Sequence, residues 1–308
     1  MSFQVALAQV LVTLLYIVPG YLCSKMKKAS PRHLPTLGGI LVYVCGPALH
    51  TNAFLSIDYS PETLKNMAVF FLLTLILQSA FMAILYAVFR KKQGDSRFRI
   101  LNIGSVLGNV GFFGLPVIRA LLPAYPEVAC YSAIYSITMN ILVFTMGVFC
   151  LTGEKKYMSV RSALLNPTMI SFFVAVPLFL MNARRFLPSQ VLSALQLLGG
   201  MSTPLCMFVL GVRLSQNSMK KLFSQPFVYA VSFLKLLLFP LFCFAAVCLL
   251  PLSMPIKASV LILSATPCAS VILSLAELHQ KQMDLAASCV LVSTLLCFMT
   301  IPVMTLLV

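Results

Sequence analysis

The sequence predicts an all-α protein that crosses a membrane many times, and three observations lead to this prediction. Of its 308 residues, 60% are hydrophobic and only 9% are charged, whereas soluble domains average about 25% charged residues. The mean hydropathy is +0.98. The apolar residues also form long runs, and a helix needs roughly 20 such residues to cross a bilayer about 30 Å thick. A chain with so few charges does not provide a surface that water can solvate.

Ten apolar runs are long enough to form transmembrane helices. The connections between them are short, and the polar stretch 90–98 (RKKQGDSRF) carries the densest cluster of charge. Because none of these connections is long enough for a soluble domain, the function is expected to lie within the membrane. The predicted spans, numbered one to ten, are 3–22, 35–56, 65–89, 99–122, 128–151, 162–181, 190–212, 226–249, 256–278 and 284–307.

The basic residues between the runs predict the orientation of the chain. The first run has no basic residue before it and several after it, which is the reverse of a secretory signal peptide, so we expect a retained first span with the N-terminus outside. Sixteen Lys and Arg residues then lie on the cytoplasmic side, in agreement with the positive-inside rule. Both termini are therefore predicted to lie outside the cytoplasmic membrane. The five basic residues left on the outer side are Lys65, Arg119, Arg184, Arg185 and Lys257.

Charge and cysteine usage narrow the class of function. The net charge of +15 is spread over short loops, where it meets anionic lipid headgroups, so the lipid bilayer and not nucleic acid is the expected partner. The ten cysteines lie almost entirely in apolar runs without metal-ligand spacing, so neither a metal site, a cofactor nor a disulfide framework is expected. The sequence contains no HExxH, P-loop or GxSxG motif, and an enzyme is therefore not predicted.

The chain is expected to form a single transmembrane domain, 1–308, made of two inverted repeats of five helices. An odd number of spans in the first half inverts the second half relative to it. The charge-rich segment 152–161 marks the join, and the predicted repeats are 1–151 and 162–308.

Prolines at similar places in the two halves support this division. Pro116 in span four and Pro267 in span nine are 151 residues apart (267 − 116), and Pro47 in span two and Pro204 in span seven are 157 apart (204 − 47). Two pairs of prolines that are separated by nearly the same number of residues favour an inverted repeat.

Spans four and nine are predicted to be broken helices. Span four contains IGSVLGNVGFFGLPVIRA around Pro116, and span nine contains SATPCAS around Pro267. Proline removes a backbone donor and disfavours helical angles at the residue before it, so the first break is expected at Leu115 and Pro116. Within a bilayer such breaks are tolerated where they face protein or a wet cavity. A matching pair of them is typical of the binding site of a secondary transporter.

Four glycines of span four, Gly104, Gly108, Gly111 and Gly114, lie on one helical face. Two interpretations stay open and are compatible. The face lets another helix approach closely, or Gly111 and Gly114, next to Pro116, let the backbone unwind where the second broken span crosses it.

The half-helix that starts near each proline has its N-terminus inside the membrane. Unpaired N–H groups and the positive end of the helix dipole favour an anion there, so two such ends would bind a carboxylate without a basic side chain. Nearby hydroxyls and amides add hydrogen bonds. The residues predicted to bind substrate are Asn109, Gly111, Gly114, Pro116, Ser264, Thr266, Pro267, Ser270 and Lys235.

Individual polar residues each allow a second interpretation. Asn109 binds substrate or ties two helices together. Lys235 is a charge near the middle of a span, which is costly unless it faces a cavity or a partner; it binds substrate or holds the second broken helix in place. His50 can titrate, but a single histidine is more often a packing residue. All seven acidic residues lie at or near span ends, so no central carboxylate relays protons or binds sodium, and a uniporter is allowed.

Four segments carry a resemblance to a known family: GNVGFFGLPVIRAL in span four, LNPTMISFFVAVPLF in span six, TPLCMFVLGVRLS in span seven and SATPCASVILSLAELHQKQMDLAASCVLVSTLL near the end. The chain resembles the bacterial auxin efflux carrier family over its full length. The resemblance implies relatives such as the plant PIN-type auxin carriers and bacterial malate or malonate permeases, and a fold shared with bile acid:sodium symporters.

The resemblance also implies an arrangement. Spans three to five and eight to ten would form a transport domain in which spans four and nine cross, and the other spans a scaffold that also makes a homodimer. Pro116 and Pro267 would mark the crossover, and Asn109 corresponds to the family's span-four asparagine. The chain departs from its relatives where Ser270 and Val271 replace an asparagine that often follows the span-nine proline, and it lacks the long cytoplasmic loop of the plant carriers.

The sequence therefore predicts an elevator-type carrier for a small organic anion, such as a mono- or dicarboxylate, in a bacterial cytoplasmic membrane. Replacing Asn109 or Pro116 with alanine is expected to abolish transport. One alternative is a sodium-coupled organic anion symporter, which dependence on a sodium gradient would distinguish. Another is a membrane sensor that binds a ligand without transporting it, which saturable binding without flux would distinguish.

Overall fold

The computed structural model describes residues 2–308, apart from the side chains of Met219 and Lys221. Met1, the first residue of the predicted first repeat, lies outside the described residues. Within residues 2–308 the regular structure is helical, without strands, and eight helices are long and apolar enough to cross a membrane. In chain order the helices are α1 (Phe3–Lys25), α2 (Pro31–Leu55), α3 (Pro61–Val88), α4 (Ser96–Gly104), α5 (Val110–Leu121), α6 (Val128–Thr152), α7 (Lys155–Leu180), α8 (Ser189–Gln216), α9 (Pro226–Cys248), α10 (Met254–Ser264), α11 (Val271–Leu278) and α12 (Met283–Leu307).

The prediction of an all-α protein with many membrane-spanning helices is confirmed. The eight long helices overlap eight of the predicted spans. In α7 the regular part is Pro167–Leu180, preceded by a short helix, Val160–Leu164, and another short helix, Met219–Phe223, joins α8 to α9. Large apolar side chains such as Leu72 and Ile76 of α3 point outward, as lipid contact requires.

The two remaining predicted spans, 99–122 and 256–278, are each occupied by a pair of short helices. Residues 105–109 separate α4 from α5, and residues 265–270 separate α10 from α11. The second interruption contains Pro267, as predicted.

The first interruption does not lie at Pro116, and that prediction is wrong. Pro116 is the second residue of an α-helical segment, Leu115–Leu121, and Leu115 has helical angles (φ −58°, ψ −51°). A π-helical turn, Val110–Gly114, directly precedes this segment. A π turn widens the helix and shifts its hydrogen bonds by one residue, so the helix accommodates a proline that lacks an N–H group without breaking.

The same arrangement occurs at two other prolines. The π turns Leu41–Cys45 and Leu234–Leu238 directly precede α-helical segments whose second residues are Pro47 and Pro240. Three prolines of this chain are therefore accommodated within a helix that continues through them, and a proline by itself does not locate an interruption.

Helix α1 packs against α8 at very short range, and α2 packs against both α7 and α8. Glycines make the α1–α8 contact possible. A Cβ atom at Gly20 would collide with the backbone oxygen of Phe208, and one at Gly211 would collide with the backbone oxygen of Ile17. Membrane helices use small residues in this way because close backbone approach increases van der Waals contact.

The variant Gly211→Ala is expected to lose stability because its new methyl group has no space between α1 and α8. Forcing a group into a packed interface costs about 1–3 kcal/mol. The measurement is the fraction of monodisperse protein that gel filtration recovers after heating in detergent. Gly200→Ala, on the same helix but with open space around its Cβ, is the control, and equal melting of both variants would contradict the packing argument.

The other helices fix the positions of the short pairs. Helix α3 packs on α6, and α9 packs against α10 and α12.

Asp95 caps the N-terminus of α4, where its carboxylate accepts a hydrogen bond from the Arg97 N–H group at 2.9 Å. The Arg97 guanidinium also holds the pKa of the Asp95 carboxyl below its usual range, because it donates hydrogen bonds to it.

Candidate functional site

The two interruptions cross each other in an antiparallel manner. At the centre of the crossing, Gly108 and Cys268 form an isolated β-bridge. Each helix before the crossing ends four residues ahead of this pair, since α4 ends at residue 104 and α10 at residue 264. The flanking hydrogen bonds run from Asn109 N–H to the Pro267 carbonyl at 2.8 Å and from Ala269 N–H to the Leu107 carbonyl at 3.0 Å.

The crossing has no room for a side chain at Gly108. A Cβ atom there would lie 2.5 Å from Oγ1 of Thr266 and 2.9 Å from Nζ of Lys235. Both distances are well below van der Waals contact. Glycine at this position therefore brings the first interruption against the second.

Both helices that leave the crossing begin with unpaired N–H groups. Among residues 2–308 no hydrogen-bond acceptor meets the N–H groups of Gly111 and Phe112 in α5, or those of Ser270 and Val271 at the start of α11. These four residues are partly exposed. The first N–H groups of a helix carry its positive partial charge, so the crossing presents two sets of donors suited to an anion.

Asn109 lies directly before α5 and is almost fully buried, with 6% of its surface exposed. Its carbonyl accepts hydrogen bonds from the N–H groups of Phe113 and Gly114. Its side-chain Nδ2 donates to Sγ of Cys206 on α8 at 3.5 Å, and sulfur is a weak acceptor. The amide thus faces α8 while its backbone forms the first turn of α5.

Lys235, on α9, is fully buried and lies at the crossing. Its ammonium donates a hydrogen bond to the carbonyl of Ser264, the last residue of α10, at 2.6 Å. It also lies 4.9 Å from the centre of the Phe239 ring. This geometry agrees with the interpretation in which Lys235 holds the second broken helix in place.

The hydroxyl groups of Ser264 and Thr266 form hydrogen bonds with backbone carbonyls in the last turn of α10. Ser264 Oγ donates to the carbonyl of Leu261 at 2.9 Å, and Thr266 Oγ1 donates to the carbonyl of Leu263 at 2.7 Å. Both side chains are fully buried. They shape the crossing by adding a second hydrogen bond to each of these carbonyls, which also accept from the N–H groups of Ala265 and Thr266.

Gly111 and Gly114 are helical and lie in the π turn of α5, so the prediction that the backbone unwinds at these glycines is wrong. Packing explains both residues. A Cβ at Gly114 would lie 2.9 Å from Cγ2 of Thr266, and one at Gly111 would lie 3.3 Å from Oγ of Ser136. Unwinding occurs instead at residues 105–109.

His50 of α2 is buried, and its Nδ1 pairs with Oγ of Ser171 on α7 at 3.2 Å. Its Nε2 lies 3.7 Å from the Cβ position of Gly111. The hydrogen bond to Ser171 gives His50 a packing role between α2 and α7.

An open cavity of about 900 Å³ is lined by residues of α2 and α8 and by Arg119 of α5. Among the described residues, its lining includes the polar side chains of Asn52, Ser193 and Gln196, and one charged side chain, that of Arg119. Arg119 is on α5, ten residues after Asn109 (119 − 109). The cavity therefore adjoins the helix that begins at the crossing and carries one positive charge in its wall.

Sequence reasoning missed three residues of this region. Asn102 of α4 is fully buried, and neither atom of its amide has a hydrogen-bond partner among the described residues. An asparagine in an apolar run two residues before Gly104 was a signal that could have identified it, since buried polar groups normally have a partner. Cys206 and Arg119 gave no such signal, because their positions depend on how α8 and α5 pack. Among residues 2–308 no cluster of His, Cys, Asp or Glu is placed to hold a metal ion.

Comparisons with known proteins agree on one class of protein. Residues 5–305 match the sequence model of a family described as "Membrane transport protein". The chain is also similar to an uncharacterized transporter from Methanocaldococcus jannaschii, with 26% identity over 293 residues that cover 92% of this chain and 93% of that protein.

Proposed function

The chain belongs to the membrane transport protein family, the auxin efflux carrier family, and from this premise we propose that it is an elevator-type carrier for a small organic anion such as a mono- or dicarboxylate. The observation that carries the proposal is the crossing of the two interruptions, where two helices begin with unpaired, partly exposed N–H groups. Such groups bind an anion without requiring a basic side chain.

The side chains around the crossing support an anionic substrate. Asn109 contributes an amide beside the first turn of α5, and Ser270 a hydroxyl at the start of α11. Arg119 adds a positive charge to the wall of the adjoining cavity. A carboxylate in the cavity would meet a favourable potential before it reached the helix N-termini.

The position of the cavity supports an elevator mechanism. Helices α1, α2, α7 and α8 pack on one another and would form the scaffold, while α3 to α6 and α9 to α12 would form the moving domain. The cavity is lined by α2 and α8 of the scaffold and by Arg119, a residue of the moving domain. Asn109 crosses this boundary through its hydrogen bond to the sulfur of Cys206. Because sulfur is a weak acceptor, this bond is weak enough to break when the domain moves.

The wider arrangement is part of the same proposal. Each pair of short helices would cross the membrane as one interrupted span, giving ten spans in two inverted repeats. The helix ends (264 − 104) and the crossing residues (268 − 108) are both separated by 160 residues. This spacing, and not the 151 residues between Pro116 and Pro267, is therefore the one that aligns the two halves. We further propose a location in the cytoplasmic membrane with both termini outside, and a homodimer formed by the scaffold.

Purified protein in liposomes is expected to take up at least one labelled mono- or dicarboxylate in a saturable manner. Protein-free liposomes and labelled neutral and cationic solutes of similar size are the controls. Uptake is measured with and without imposed sodium, potassium and proton gradients, which also identifies the coupling. Movement of neutral or cationic solutes without any anion would contradict the proposal, and saturable binding without flux would favour a sensor.

A further inference from the structure

Helices α4 and α10 enter the crossing with their C-terminal ends. In both, a serine hydroxyl donates to a carbonyl of the last turn, but the group that donates to the final carbonyl is neutral in α4 and positively charged in α10. The last carbonyl groups of a helix carry its negative partial charge and need partners. In carriers with interrupted helices, such ends and the unwound backbone beside them are the places where coupling cations bind. What occupies these two ends therefore bears on ion coupling.

At the end of α4 the partners are neutral. The hydroxyl of Ser105 donates to the Leu101 carbonyl at 2.6 Å. The carbonyl of Gly104, the last residue, accepts a hydrogen bond of 3.2 Å from the thiol of Cys268, which is a weak donor. A neutral thiol thus meets the final carbonyl of this helix.

At the end of α10 the matching carbonyl meets a cation. The hydroxyl of Ser264 donates to the Leu261 carbonyl, as Ser105 does in α4. The final carbonyl, that of Ser264, accepts a 2.6 Å hydrogen bond from the ammonium of Lys235. This short, charge-assisted bond is of the stronger kind.

The surroundings of the Lys235 ammonium are those of a desolvated cation. The side chain is fully buried, its Nζ lies 4.9 Å from the centre of the Phe239 ring, and the backbone of Gly108 lies close enough that a Cβ there would be 2.9 Å from Nζ. A carbonyl oxygen and an aromatic face both favour a positive charge. A free metal ion at the Ser264 carbonyl would have to share this space with the ammonium.

We propose that Lys235 provides, as a fixed cation, the positive charge that the end of α10 needs, and thereby takes the place of a coupling sodium or potassium ion at the crossing. This inference rests on the proposed function, since it concerns how the carrier is coupled. It assigns Lys235 to positioning the second interruption. It also separates this chain from a sodium-coupled symporter, because the cation site at this helix end is filled by the chain itself.

The first test measures thermal stability in sodium, potassium or N-methylglucamine chloride at equal ionic strength, by gel filtration after heating. Wild-type protein is expected to melt at one temperature in all three salts. Lys235→Ala removes the ammonium and leaves the Ser264 carbonyl open, so its melting temperature is expected to be lower in N-methylglucamine and to rise saturably with sodium or potassium, since a ligand that binds only the folded state stabilises it. Lys257→Ala, a lysine of α10 away from the crossing, is the control and should behave as wild type.

Stabilisation of the wild type by sodium or potassium, or a Lys235→Ala protein that folds and ignores both ions, would overturn the proposal. If Lys235→Ala does not yield monodisperse protein, the proposal is tested by measuring uptake into liposomes with the wild type. Uptake of the carboxylate found in the liposome assay should then be the same with sodium, potassium or N-methylglucamine, and a tenfold fall without a metal cation would refute the proposal. If the wild type transports no anion but the melting temperatures behave as expected, the result would count against the proposed function and leave the role of Lys235 standing.

Discussion

Replacing Gly108 with valine is expected to abolish transport, the largest effect that a single substitution should have on this protein. Gly108 is the residue at which the first interruption touches the second. Even one added carbon would lie 2.5 Å from the Thr266 hydroxyl and 2.9 Å from the Lys235 ammonium. Because Thr266 and Lys235 are fully buried and hydrogen-bonded, they cannot turn away without leaving polar groups unpaired.

The consequence of Gly108→Val reaches beyond a local clash. The hydrogen bond from Asn109 N–H to the Pro267 carbonyl holds the start of α5 against the second interruption. A valine would separate the two interruptions and displace the unpaired N–H groups that begin α5. The proposed substrate site would lose one of its two sets of donors, and flux should fall to the level of protein-free liposomes.

Gly39→Val is the matched control, because a Cβ at Gly39 of α2 has open space around it. Both variants are compared for surface expression, monodispersity and uptake of the carboxylate that the wild type carries. Inserted Gly108→Val protein with wild-type uptake would mean that the crossing is not the substrate site.

The sequence anticipates most of the helices for a simple reason. Eight apolar runs become eight long helices, because hydrophobic length alone decides whether a segment can cross a bilayer. The second interruption was also predictable, since Pro267 lies within it. The first was misplaced by seven to eleven residues (116 − 109 and 116 − 105), at Pro116, because the effect of a proline depends on whether a π turn precedes it. Residues 110–114 give no composition signal of such a turn.

The contacts at the site were harder to predict than the site itself. Asn109 could be identified as an amide in an apolar run. Its partner Cys206 lies 97 residues away, and the Lys235 bond joins α9 to the end of α10. Such pairs depend on how the helices pack, and a single sequence contains no direct record of that packing. For this reason the sequence left two roles open for Lys235, and the hydrogen bond to Ser264 favours one of them.

The sequence predicts that Asn109→Ala abolishes transport, but the variant keeps the unpaired N–H groups of α5 and α11. We therefore expect it to lower the rate of uptake at subsaturating substrate by about 10- to 100-fold. The substitution removes an amide that lies beside the unpaired N–H groups of α5. A hydrogen bond to a charged group contributes about 1.5–3 kcal/mol, which corresponds to this range. Pro116→Ala, which the sequence predicts to abolish transport, should instead keep most of the activity, because Pro116 lies within a helix that alanine continues.

Cys206→Ala separates the two roles that remain for Asn109. If the asparagine serves mainly to tie α5 to α8, removing the sulfur that accepts its hydrogen bond should reduce uptake as much as Asn109→Ala does. If the amide binds the anion, Cys206→Ala should retain near wild-type uptake, because only a hydrogen bond to a weak acceptor is lost. We expect the second result. Equal losses in Asn109→Ala and Cys206→Ala would assign Asn109 to helix packing, and the helix N-termini would then be left to bind the carboxylate without it.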